Sequence, residues 1–75
     1  MYPTEAAVKR VEGTVLVEML VSASGRVLRL RIVESVPMLD AAAVQCARQW
    51  EFAPAQRDGR PVPSIVYGEV KFRLL

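Results

Sequence analysis

Trp50-Glu51-Phe52-Ala53-Pro54-Ala55-Gln56-Arg57-Asp58-Gly59-Arg60-Pro61-Val62 decides the fold of this 75-residue chain. An apolar helix runs into the Trp50-x-Phe52 pair and stops at Pro54, whose ring clashes with the preceding turn and which has no N–H to donate. Asp58-Gly59 is turn chemistry, and Pro61-Val62 opens a final strand. Val62, Ser64, Val66, Gly68, Val70, Phe72 and Leu74 then fall on one face, and Ile65, Tyr67, Glu69, Lys71 and Arg73 on the other. A strand from Val62 to Leu74 is about twice the usual five or six residues. Pro61 and Pro63 confine its start to an edge or a strand beginning. Such a terminal strand is expected to be an edge, and an edge can bind another strand.

Working outward, Leu39, Ala43, Cys46 and Trp50 recur at helical spacing, joined by Ala42 and Ala47, and predict an amphipathic helix of about three turns. Pro37 and Asp40 lie at its start, where a missing N–H costs nothing and a carboxylate meets the positive end of the helix dipole. Before it, Thr14 to Ser22 alternates as a strand with Val15, Val17, Met19 and Val21 on its apolar face. Ser22-Ala23-Ser24-Gly25 turns the chain, and Val27 to Glu34 returns it. The return strand breaks period two, and a bulge near Leu28–Arg29 would bring Val27, Leu30 and Ile32 inward together. Residues 4–11 predict a short helix capped at Thr4 and ending before Gly13.

The expected fold is therefore α+β. A three-stranded antiparallel sheet has order 2-1-3, one helix packs across a face, and a short helix leads the chain. The helix is a crossover between the second and third strands, which then run parallel on either side of the first. Residues 1–75 are expected to form a single domain, with the strand-three edge open along its whole length.

A chain of this size buries only about 60% of its unfolded surface, so pairing with a partner or a second copy is the expected source of extra stability. Disulfides are excluded because Cys46 is the only cysteine, and the absence of histidine argues against a metal site; no cofactor is expected. The net charge is +2 with scattered basic residues, a poor footprint for nucleic acid or a membrane surface. No apolar run approaches the ~20 residues of a membrane span, and no signal peptide is read. Met1-Tyr2-Pro3 reads as a start methionine set before a domain, with any anchor or targeting segment expected outside this stretch.

Catalysis is hard to build from these residues, and the chain is not expected to be an enzyme. Cys46 lies on the apolar stripe of the helix and reads as a small core residue. Ser22, Ser24, Ser35 and Ser64 have no base to activate them. Glu18, Asp58 and Glu69 read as solvated charges, and Trp50 with Phe52 as the seal at the bottom of the core. Arg29, Arg31, Lys71 and Arg73 read as a solvated sheet face, since Tyr67 is its lone aromatic and nucleic-acid stacking needs more. The candidate site is the strand edge itself: Ser64, Ile65, Val66, Tyr67, Gly68, Glu69, Val70 and Lys71.

The ordered set Tyr2-Pro3, Gly13-x-Val15-x-Val17, Ser22-x-x-Gly25-Arg26-Val27 and Leu39-Asp40-x-Ala42-Ala43 continues through Arg48-x-Trp50-x-Phe52-x-Pro54-Ala55. It closes with Gly59-x-Pro61-Val62 and Val70-x-Phe72-x-Leu74. Together these motifs resemble the C-terminal domain of TonB-type energy transducers over essentially the whole chain. Ser22 stands where the hairpin turn usually opens on aspartate, and the link 34–38 lacks a common glycine. The resemblance implies a periplasmic domain whose full-length protein is anchored in the inner membrane and coupled there to a proton-motive-force motor complex. It implies a grip on the N-terminal segment of outer-membrane receptors for siderophore- or cobalamin-type import. Two other readings remain open at this point: a TonB-like sensory or scaffolding module on another membrane protein, and a small nucleic-acid-binding domain. A homodimer through the same edge is expected to compete with receptor peptide.

Overall fold

The computed structural model describes residues 2–75. Its elements run α1 (Thr4–Val8), β1 (Gly13–Val21), β2 (Val27–Glu34), α2 (Asp40–Ala47), β3 (Ala55–Arg57), β4 (Arg60–Val62) and β5 (Ser64–Phe72). The sheet order is β2-β1-β5, antiparallel throughout, with β1 central. The α+β fold and strand order expected from the pattern are those observed.

β1 carries the core. Val15, Val17, Met19 and Val21 are buried, and with Val70 and Phe72 of β5 they pack under Leu39, Ala43 and Ala47 of the α2 segment. The alanines let the helix lie close to the sheet. Asp40 fixes its entry, its carboxylate accepting the Val36 N–H at 2.8 Å and the Ser35 hydroxyl. The helix is shorter than its spacing predicts: α2 has 8 residues, about two turns. Gln49 and Trp50 donate only to carbonyls three residues back, which tightens the last turn and lets the chain leave before Trp50.

At the N-terminus the Thr4 cap is not formed; Pro3 occupies the cap position with no side-chain hydrogen bond. The helix is held at its other end. Val11 N–H bonds Ala6 C=O and Arg10 N–H bonds Ala7 C=O, with Arg10 left-handed at φ 55, which is a Schellman closure. Tyr2 reaches across, donating its hydroxyl to Val11 C=O while its ring meets Phe72 edge-on at 5.4 Å.

The bulge expected near Leu28–Arg29 is present. Val21 pairs with Val27 and Leu20 with Arg29, so Leu28 is the extra residue; it is thrown outward while Val27, Leu30 and Ile32 turn to the core. A second irregularity between Leu16/Glu34 and Val17/Ile32 leaves Val33 unpaired. The final strand is also shorter than Val62 to Leu74. Because β1 ends opposite Ser64, the residues before it have no strand to join, and Arg60–Val62 fold back on Ala55–Arg57 as a separate hairpin. Its Asp58-Gly59 turn has φ 52 and 78, the two positive values of a type I′ turn. The molecule extends 49 × 18 × 18 Å along its principal axes.

Candidate functional site

All eight residues of the candidate edge, Ser64 to Lys71, lie on β5, which is hydrogen-bonded on one side to β1 and, among the described residues, carries no strand on the other. Their side chains divide as the alternation predicts. Ser64, Val66, Gly68 and Val70 are covered or partly covered under the helix, whereas Ile65, Tyr67, Glu69 and Lys71 are exposed on the opposite face.

The direction of the backbone groups follows from the hairpin. Ser22 N–H donates to Arg26 C=O at 2.8 Å, so Ser22 points toward β2. Along a strand the bonding direction alternates, which aims Val21, Met19, Val17 and Val15 at β5. Their register partners Ser64, Val66, Gly68 and Val70 are consequently bonded to β1. Ile65, Tyr67, Glu69 and Lys71 then present both N–H and C=O away from the sheet. Of the eight candidate residues, four present main-chain groups away from the sheet, and Ser64, Val66 and Val70 of the other four place side chains on the helix side.

On the open face, a polar row crosses all three strands. Arg31 on β2 and Tyr67 on β5 sit opposite Glu18 on β1. The Arg31 guanidinium donates to the two Glu18 oxygens at 2.8 and 3.3 Å, and the Tyr67 hydroxyl donates to Glu18 at 2.7 Å. Hydrogen bonds from Arg31 and then Tyr67 hold the Glu18 carboxyl below its ordinary pKa, and the same carboxylate raises the Tyr67 phenol. A carboxyl more acidic in the folded chain stabilises the fold above its unfolded pKa, near ~4.3, and stops doing so as pH falls through the folded value. Thermal melts at low salt should therefore show a loss of Tm on acidification that is smaller in Glu18→Gln. Equal losses in both proteins would remove Glu18 from the acid response. The row also ties down Tyr67, which is thereby less available for stacking.

Beside this row an open depression of about 380 Å3 is lined by Glu18, Leu20, Arg29, Arg31 and Ile65 among others. A second, of about 400 Å3, lies along the bulged part of β2 between Arg29 and Arg48. Neither lining contains a nucleophile with a base beside it. Cys46 is half-buried against the core. Among the described residues no three His, Cys, Asp or Glu side chains gather as metal ligands, and no helix is long and apolar enough to cross a membrane.

Trp50 and Phe52 are partly buried rather than sealed in, and pack edge-to-face at 6.3 Å. Trp50 lies over Gly68: a Cβ there would come within 2.7 Å of the indole and 2.9 Å of the Met19 methyl. Neither this contact nor the outward set of amides was legible in the sequence, because both depend on register between distant segments. The glycine at mid-strand was the one available signal.

The family model described as the Gram-negative bacterial TonB protein C-terminal matches residues 1–74. Three curated relatives align over 75 residues, 97% of this chain: Protein TonB of Vibrio cholerae at 32% identity, Protein tonB2 of Pseudomonas aeruginosa at 35%, and Protein TonB of Klebsiella pneumoniae at 35%. The alignments cover 31%, 28% and 29% of those relatives, so the chain spans less than a third of their length.

Proposed function

The chain belongs to the Gram-negative bacterial TonB C-terminal family, and from that premise we propose that residues 1–75 are the receptor-gripping domain of an energy transducer. The domain is non-enzymatic and periplasmic. It takes the extended N-terminal segment of an outer-membrane receptor as an added strand on β5. The remainder of the full-length protein anchors it in the inner membrane and couples it to the motor complex, so that pulling on the receptor drives import of siderophore- or cobalamin-type cargo. The observation that carries this reading is the nine-residue strand bonded on one side only. Main-chain bonds from Ile65, Tyr67, Glu69 and Lys71 give affinity with tolerance for sequence, which suits a domain serving several receptors.

Proline scanning tests it, because the two backbone directions respond oppositely. Glu69→Pro removes an outward N–H and leaves the β1 ladder intact, so the variant should stay folded and bind a receptor N-terminal peptide at least about tenfold more weakly. Val66→Pro removes a ladder bond and should destabilise the fold instead. Full affinity in folded Glu69→Pro would move the binding site off this edge. A second copy of the chain can satisfy the same groups. Sedimentation of the free domain across a hundredfold concentration range separates that occupant from the peptide.

A further inference from the structure

The sheet has two outer strands, and they differ in regularity. β5 keeps one register with β1 from Ser64 to Phe72, so its outward residues recur at every second position. β2 breaks register twice. The bonding phase set at Ser22 turns Leu20, Glu18 and Leu16 toward β2, so their partners Arg29, Arg31 and Glu34 bond inward. The outward main-chain groups of β2 then fall at Val27, Leu30 and Ile32. Leu28 sets the first of these three positions from the second, and Val33 interrupts the pairing after the third. Only Leu30 and Ile32 keep the spacing that an added strand needs. The hairpin end of this edge is covered by the chain itself, with Glu51 bridging Arg26 and Phe52 N–H bonding Gly25 C=O.

Neither interruption serves the core. Leu28 and Val33 are 60% and 40% exposed, whereas Val27, Leu30 and Ile32 pack against the buried cluster. Removing both extra residues would leave every other side chain of β2 on its present face, because the two strands would then pair in step from Val21–Val27 to Leu16–Glu34. The fold thus keeps two exposed apolar residues whose structural effect is to break an edge. Beside the first break the surface sinks into the depression of about 400 Å3 lined by Leu28 and Arg48, and offers no flush ledge.

We infer that Leu28 and Val33 close the β2 edge to strand addition, leaving β5 as the edge open to an extended peptide or to a second copy of this chain. Bulges misalign the N–H and C=O groups of an edge and twist it out of the flat geometry that pairing needs. What they disturb is main-chain spacing, so the closure acts on any extended backbone whatever its sequence. A single accepting edge fixes the stoichiometry at one strand per domain. It also keeps domains from joining edge to edge into longer sheets, which a chain open on both sides could do without limit. That the strand kept off β2 is a receptor segment rests on the proposed function; the closure itself does not.

A synthetic peptide of about seven residues, alternating valine and threonine between lysine ends, supplies the test strand. Amide exchange at Leu30 and Ile32 is followed in the parent chain and in one lacking both Leu28 and Val33. In the parent, saturating peptide should leave both amides exchanging as before. In the doubly deleted chain it should slow them by about tenfold or more, and self-association should begin at roughly tenfold lower concentration. Should that chain not fold, deletion of Leu28 alone carries the same expectation, since it joins Val27, Leu30 and Ile32 into one run. Protection of Leu30 and Ile32 in the parent would overturn the inference without any variant. So would unchanged exchange and self-association in a folded deletion variant whose cross-strand NOEs show regular pairing of Val27 to Ile32 with β1. Absence of protection along β5 in every chain would remove strand addition there, while Leu30 and Ile32 still decide whether β2 is closed.

Discussion

Gly25→Ala should cost the domain roughly 3 kcal/mol or more, the combined effect of backbone strain and a lost hydrogen bond. Gly25 holds φ at 90, where a Cβ is strained in any surroundings. Here the surroundings add to it. The new Cβ would stand 2.0 Å from the Phe52 carbonyl oxygen and 3.1 Å from its carbon, both main-chain atoms that no rotamer change can move. The same segment is bonded to the turn, Phe52 N–H donating to Gly25 C=O at 2.8 Å, with Arg26 and Glu51 bridged beside it. Relief therefore requires the turn to separate from the segment that follows α2, which also positions Trp50. A chain of this length has roughly 4–11 kcal/mol of stability in total, and Tm should fall by roughly 12 °C or more. Gly59→Ala is the control: φ is 78 but nothing lies within 4 Å, so only the strain remains. Equal melting of Gly25→Ala and the parent would mean that the hairpin turn is not clamped by Phe52.

Met19→Ala should destabilise by about 2–5 kcal/mol, whereas Leu28→Ala should change stability by about 0.5 kcal/mol or less. The two residues sit on neighbouring strands and are comparably apolar, so hydropathy alone would rank them together. Met19 has no exposed surface and its methyl fills the space over Gly68, so its truncation opens a cavity in the core. Leu28 is the extra residue of the β2 bulge and is 60% exposed. Urea midpoints of the two variants measure the difference. Similar losses in both would mean that the bulge does not turn Leu28 out of the core.

Much of this fold was legible because β1 is regular: a clean alternation from Thr14 to Ser22 fixes its buried face, and Ser22 to Gly25 fixes its partner. The bulge at Leu28 announced itself by breaking period two between Val27, Leu30 and Ile32. Val33 gave no such signal, since an apolar residue near a strand end fits either face. Trp50 was misread as the last residue of a helical stripe because i+11 spacing cannot show that the helix has already tightened and ended at Ala47. The final strand was overextended for a related reason. Val62 continues the alternation, but β1 runs out opposite Ser64, and which residues have a neighbour to pair with is a property of three strands together. The candidate edge was legible as a segment. Its division into outward amides and inward ones was not, because that follows from the bonding phase set at Ser22 and carried across β1.

That division makes the central claim directly measurable by amide hydrogen exchange, residue by residue, in the free domain and at saturation with a receptor N-terminal peptide. In the free domain Val66, Gly68 and Val70 should be protected by the β1 ladder, while Ile65, Tyr67, Glu69 and Lys71 exchange quickly. On binding, those four amides alone along β5 should gain protection, since an added strand bonds every second residue of the edge. Protection appearing along Val27–Glu34 instead, or saturation with the four amides still exchanging quickly, would contradict binding of the receptor segment as a strand on β5.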